Sequence, residues 1–201
     1  MEAKPKMRGA WIKEALGAVN ALPPPKAQQV LAALPAGLAD KIGSAGDADW
    51  LPAEWTVAVV TAVYRTLSHE EATLLWEHKA DAAFQQPLLT ETLKSAFSVL
   101  EVSPDSVLRW AVKPEVGIGL VYRNCGKLEL ESITANAAVL VFRDLTSVLF
   151  DSDAWCESSG GTFAGMLSLG DARMEGFAFE RTTTAKGARE LRYRLRWRAV
   201  H

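Results

Sequence analysis

The sequence has little cysteine. Cys125 and Cys156 are the two thiols among 201 residues, too few for a disulfide framework. No apolar leader-like stretch opens the sequence, so the thiols are expected to stay reduced and the protein to be cytoplasmic. The longest apolar-rich run, residues 54–64, falls well short of the ~20 residues a bilayer crossing requires, and no membrane span is expected. Histidine is also scarce. His69, His78 and His201 never stand three or four residues from another histidine or cysteine, so no helical metal pair is visible. No Walker sequence occurs, and Gly117-Ile118-Gly119 has Tyr122 where a dinucleotide loop needs its third glycine. Ser158-Ser159-Gly160 lacks the glycine of a nucleophile elbow. Asp151-Ser152-Asp153 reads as helix first-turn acids rather than a metal pair. A formal net charge of −2 removes any global drive toward nucleic acid. Without an acid–base or nucleophile constellation, a non-enzymatic protein is expected.

What is present is an ordinary globular composition, 49% apolar and 23% charged, in a length that suits one domain over residues 1–201. Residues 1–7 read as a short flexible tail and 8–112 as a helical part. Within it, helices are expected at 8–21, 26–34, 54–67, from 69, at 89–100 and after Ser103-Pro104. Residues 36–53 read as a loop with a short helical turn. Ser68 and Glu71 form a capping box. The period then changes. Residues 125–198 read as β-β-α-β-β, with strands at 127–131, 137–143, 174–183 and 188–198 around a helix at 148–169. Segregated helices followed by hairpins predict an α+β fold, with an antiparallel sheet packed against helices.

Two features within this frame invite a functional reading. The last strand alternates Leu191, Tyr193, Leu195 and Trp197 with Arg192, Arg194, Arg196 and Arg198. The arginines could grip phosphates, pair with Glu129, Glu131 and Glu180 on neighbouring strands, or form a subunit interface through Arg192, Arg194 and Arg196. The helix at 148–169 carries Cys156 and a face without bulk, Gly161, Ala164, Gly165 and Ser168. That face is expected to let the helix lie close on the sheet.

From Cys156 to Trp197, a cysteine, a Gly-x-x-x-Gly spacing at Gly161 and Gly165, a strand ending near Glu180 and a strand ending in aromatics follow one another. This run resembles the superfamily of 4-vinyl reductase-type ligand-binding domains, heme–nitric oxide binding domains and small TRAPP vesicle-tethering subunits. The 4-vinyl reductase branch is the nearest on these motifs. The chain is also similar to an uncharacterised myxobacterial family of about this length. The resemblance implies a helical N-terminal part, two strand pairs about a helix, and a homodimer.

In one branch the resemblance implies a zinc site. Cys156 and Glu180 fall at its first two ligand positions, but Thr183 and Leu191 stand near the other two. Half a ligand set cannot close a tetrahedral zinc site, so no metal is expected. In the heme branch the Tyr-x-Ser-x-Arg signature is missing around Tyr64 and Tyr122, and His78 would have to be the axial ligand; heme is disfavoured. What the resemblance leaves is a scaffold holding a small apolar ligand between helices and sheet. Trp55, Trp76, Phe84, Phe97, Trp110, Phe163 and Phe179 are the pocket candidates. The expected function is a sensory or regulatory module. The alternative is a homodimeric adaptor acting through an unidentified protein partner. Neither reading involves nucleic acid.

Overall fold

The computed structural model describes residues 4–84, 103–115 and 117–200. The helix expected at 89–100 lies outside these residues. The described helical part contains α1 (Gly9–Asn20), α2 (Pro24–Ala32), α3 (Leu38–Ser44), α4 (Ala53–Thr66), α5 (His69–Phe84), α6 (Pro104–Ala111) and the single turn α7 (Ile118–Val121). Its helix starts are written in local chemistry. At α5 the Ser68 hydroxyl accepts from the Glu71 N–H at 3.3 Å, and the Glu71 carboxylate accepts from the Ser68 N–H at 3.1 Å. At α6 Ser103 and Ser106 cap one another reciprocally ahead of Pro104. Each cap satisfies orphan N–H groups of the first turn.

The second part is built from β4 (Lys127–Ile133), β5 (Ala137–Arg143), α8 (Ser147–Phe150), α9 (Asp153–Ser168), β6 (Ala172–Thr183) and β7 (Arg189–Ala199). The four strands form an antiparallel sheet in the order β4-β5-β7-β6. On β7 the period-2 alternation buries Leu191, Tyr193, Leu195 and Trp197, each at most 3% exposed, and turns the arginines outward. The α+β class read from the sequence is the class observed.

Three local readings are corrected. Residues 6 and 7 are not tail: β1 (Lys6–Arg8) is the central strand of a second, three-stranded sheet, between β2 (Trp50–Pro52) and β3 (Tyr122–Arg123). Met7 in its middle is fully buried. In residues 36–53, read as a loop with a short helical turn, the turn is a seven-residue helix, α3, and the rest of the stretch includes β2. The helix at 148–169 is two helices. The chain leaves helical geometry at Ser152 (φ −94°, ψ 105°), whose hydroxyl accepts from the Trp155 N–H and starts α9 afresh.

The close-packing face of α9 also differs. A Cβ on Gly161 would meet Trp76 Cβ at 2.9 Å and the Thr73 carbonyl at 3.0 Å, so Gly161 brings α9 against α5, not against the sheet. The glycine that faces the sheet is Gly160, where a Cβ would strike the Phe177 ring at 2.2 Å. Ala164 and Gly165 are both buried. One continuous cluster of buried side chains joins α1, α4, α5, α6, α9 and the four-stranded sheet. Its centre is a chain of edge-to-face rings: Trp155 with Phe142 (5.5 Å between centroids), Phe142 with Tyr193 (6.3 Å) and Tyr193 with Phe163 (5.2 Å). Such pairs contribute roughly 0.5–1.5 kcal/mol each beyond their buried area.

Candidate functional site

Where the helical part meets the sheet, packing leaves an apolar space of about 60 Å³. Trp11 of α1, Trp110 and Ala111 of α6, and Ile118 and Val121 of α7 line it from the helical side. Tyr122, Leu128 and Phe142 line it from the strands, and Ser159, Thr162, Phe163 and Met166 from α9. The elements converge for simple reasons. Amphipathic α1 buries Ile12, Leu16 and Val19, which carries Trp11 to the edge of its apolar face. On α9 the small residues Ser158 to Gly161 admit α5 and the sheet, leaving the larger Phe163 and Met166 to reach the junction. A water-sized occupant needs about 10–15 Å³ of such space, and drug-sized pockets run from about 300 Å³ upward. The space therefore suits a molecule of a few heavy atoms.

The pocket residues expected from sequence are only partly gathered here. Trp110 and Phe163 line the space. Trp76 is elsewhere, 2% exposed at the α5–α9 contact. Trp55 is half-buried on α4, at the rim of the core. Phe179 lies on β6 against a separate groove, with its ring 6.0 Å from that of Tyr193. Phe84 is the last residue of α5, and its side chain, like all of Phe97, lies outside the described residues. Sequence reasoning missed Trp11, Ile118, Tyr122, Leu128, Phe142 and Met166. Trp11 and Ile12 were legible as one helix face, but not which side of it would be left short of neighbours.

The half-matched zinc pair is separated by strand alternation. Glu180 points outward and accepts from Arg194 Nη2 at 3.0 Å. Its neighbour Arg181 points inward, placing Nη2 3.2 Å from Cys156 Sγ and Nη1 2.6 Å from Asp153. Cys156 is fully buried. Burial pushes its thiol up against the opposing pull of Arg181. Among the described residues no group of three or more histidine, cysteine, aspartate or glutamate side chains is arranged to hold a metal.

Half of the arginine stripe, two of its four arginines, is paired across strands. Arg192 reaches Glu131 at 2.9 Å and Arg194 reaches Glu180. Glu129 is taken instead by Arg143 at 2.6 Å, which also bonds Glu190. Arg196 is exposed beside Gly176 in register.

This arrangement of a helical part and a four-stranded antiparallel sheet has the fold of heme–nitric oxide binding (H-NOX) domains. A point mutant of the Fe(II) unliganded H-NOX protein from K. algicida superposes with a TM-score of 0.57 at 10% identity, covering 96% of this chain and 97% of that one. A mutant of the T. Tengcongensis H-NOX gives 0.58 at 10% identity, covering 96% and 99%. An oxygen-binding H-NOX domain related to soluble guanylate cyclases, in its oxygen complex, gives 0.54 at 10% identity and covers 96% of each chain. No family model and no curated protein matches the sequence. The likeness is one of fold alone, to solved H-NOX domains. It lends nothing to the 4-vinyl reductase or TRAPP branches, which rest on sequence resemblance alone.

One solved neighbour is described by heme distortion in the H-NOX family, and the junctional space does not fit heme. The junctional space is far smaller than a porphyrin, being filled by the two indoles and Phe163. No histidine or cysteine among the described residues lines it; His69 and His78 are both exposed on α5, and His78 lines a separate groove. Tyr122 lines it, but burial pushes its phenol far above the usual range, so no phenolate stands ready for iron. No described helix is long and apolar enough to cross a membrane.

Proposed function

We propose that the protein is a sensory module of H-NOX-like fold that binds a small apolar molecule in the space between helices and sheet. The observation that carries this reading is the apolar junctional space itself, closed by Trp11, Trp110, Phe142 and Phe163. The ligand is of few heavy atoms, because the helical part and the sheet already fill the volume a larger one would need. Occupancy would be felt by α1, α6, α7 and α9 together, since each contributes to the wall. That gives a binding event a route to the surface through packed elements. No reaction is assigned to the site.

Xenon NMR tests the proposal. A saturable shift is expected in the wild-type protein, lost in Ala111→Leu, which fills the space, and strengthened in Met166→Ala, which enlarges it. Circular dichroism checks that both variants fold. Absence of a saturable shift in both the wild type and Met166→Ala would overturn the reading. So would stoichiometric heme in protein produced with excess heme.

A further inference from the structure

We propose that Lys79 is a covalent docking point for an apolar aldehyde, held as an imine in the groove between α1, the start of α2 and α5. The groove encloses about 570 Å³, and Ala18, Leu22, Leu67 and Leu75 give it aliphatic walls. Lys79 lines it at 4% exposure, the one buried charged side chain among the described residues. Its Nζ rests 3.0 Å from the centroid of the Trp11 ring. No carboxylate among the described residues lies within ion-pair distance of it. An ammonium in that setting loses its hydration and gains only a ring face and a more distant charge. Burial accordingly drives the amine well below its ordinary range, with Glu14 opposing, so the unprotonated form is available as a nucleophile.

The surrounding charges favour a carbonyl over an anion. Lys26, the groove's other lysine, is already ion-paired with Glu71. Glu14 lines the same groove and sets a negative charge near Nζ. That charge repels a carboxylate or phosphate, but it suits the cation left when an imine takes up a proton. In the step itself the Nζ lone pair attacks the carbonyl carbon and forms the C–N bond. The carbonyl oxygen then leaves as water with the two amine hydrogens, and the C=N bond remains. No oxidant or reductant is needed. The inference rests on this groove alone and does not require a ligand in the junctional space.

Decanal, a linear apolar aldehyde, tests it. The full-length protein is incubated with decanal, reduced with borohydride, and read by intact mass and peptide mapping. Lys79 is expected to carry the main adduct, ahead of every exposed lysine. The single adduct should vanish in Lys79→Met. Labelling spread over surface lysines with Lys79 unmodified, or equal adduct in Lys79→Met, overturns the proposal. Peptide mapping of the wild type decides the matter even if that variant fails to fold.

Discussion

Tyr193 donates its phenolic O–H to the main-chain carbonyl of Cys156 at 2.8 Å, fastening the last strand to α9 from within the core. Both residues are fully buried. The bond fixes the orientation of the ring that Phe142, Phe163 and Phe179 pack against. Removing the hydroxyl takes one of the carbonyl's two hydrogen bonds, the other being to the helical N–H of Gly160. Tyr193→Phe is therefore expected to cost about 0.5–1.5 kcal/mol. The urea midpoint should fall with the slope unchanged. An unchanged midpoint would mean that the bond contributes nothing net.

The three tyrosines of the chain share one response to alkali. Burial raises Tyr64, Tyr122 and Tyr193 above the usual value of about 10. The unfolded chain thus ionises first. The stability contributed by the neutral phenols is complete below about pH 10 and is lost as pH rises beyond it. Tyrosinate absorbance should stay silent through the ordinary range and then rise together with the loss of circular dichroism. A smooth titration of all three near pH 10 in a folded protein would contradict the full burial of Tyr193 and the shielding of the half-buried Tyr64 and Tyr122.

Gly160 and Gly161 are adjacent yet answer to different neighbours. Alanine at either gains about 1 kcal/mol of helix propensity. At Gly161 the new methyl meets the Thr73 carbonyl and the stem of Trp76, neither of which can swing aside. At Gly160 it meets the far end of the half-buried Phe177 ring, which can turn. Gly161→Ala should be the more destabilising by about 1 kcal/mol or more, within the usual range for overpacking. Chemical denaturation of the two variants side by side reads the difference, and the opposite order would place α5 further from α9 than described.

Both thiols should be inert in the folded protein. Cys125 is 3% exposed and Cys156 fully buried. Burial pushes the Cys125 thiol up to about 11 and raises that of Cys156, so little thiolate exists near neutral pH. Modification by an aromatic disulfide reagent should proceed at the rate of unfolding and accelerate with urea. Fast labelling of Cys156 in native buffer would instead mark it as a reactive site. Cys156→Ser is expected to leave the fold in place.

Much of this architecture is written locally and some of it is not. The Ser68–Glu71 box, the Ser103-Pro104 start and the alternation of Leu191, Tyr193, Leu195 and Trp197 each sit within a few residues of one another, so the sequence alone discloses them. The three-stranded sheet has no such signature. Its strands are two or three residues long, too short to carry a period, and pairing across long stretches of chain defines them. The same limit applies to the site. Trp110 and Phe163 were recognisable as large apolar residues in the right elements. That Trp11 and Tyr122 join them, while Trp76 and Phe179 do not, depends on helix rotations that only the packed structure settles. Glu180 beside Arg181 is the sharpest instance. A one-residue step along a strand decides which of them meets Cys156.

The placement of β1 sets an order of events in synthesis. Its partners are β2, some forty residues later, and β3, more than a hundred residues later. Met7 is sealed in, while Arg8 donates to the carbonyls of Ala48 and Leu120. Residues 6–8 leave the ribosome before either partner strand and are thus among the last to find a complete set of partners. Until Tyr122 has emerged, this strand has one open edge and an uncovered methionine, and chaperone binding and early proteolysis would act on that interval.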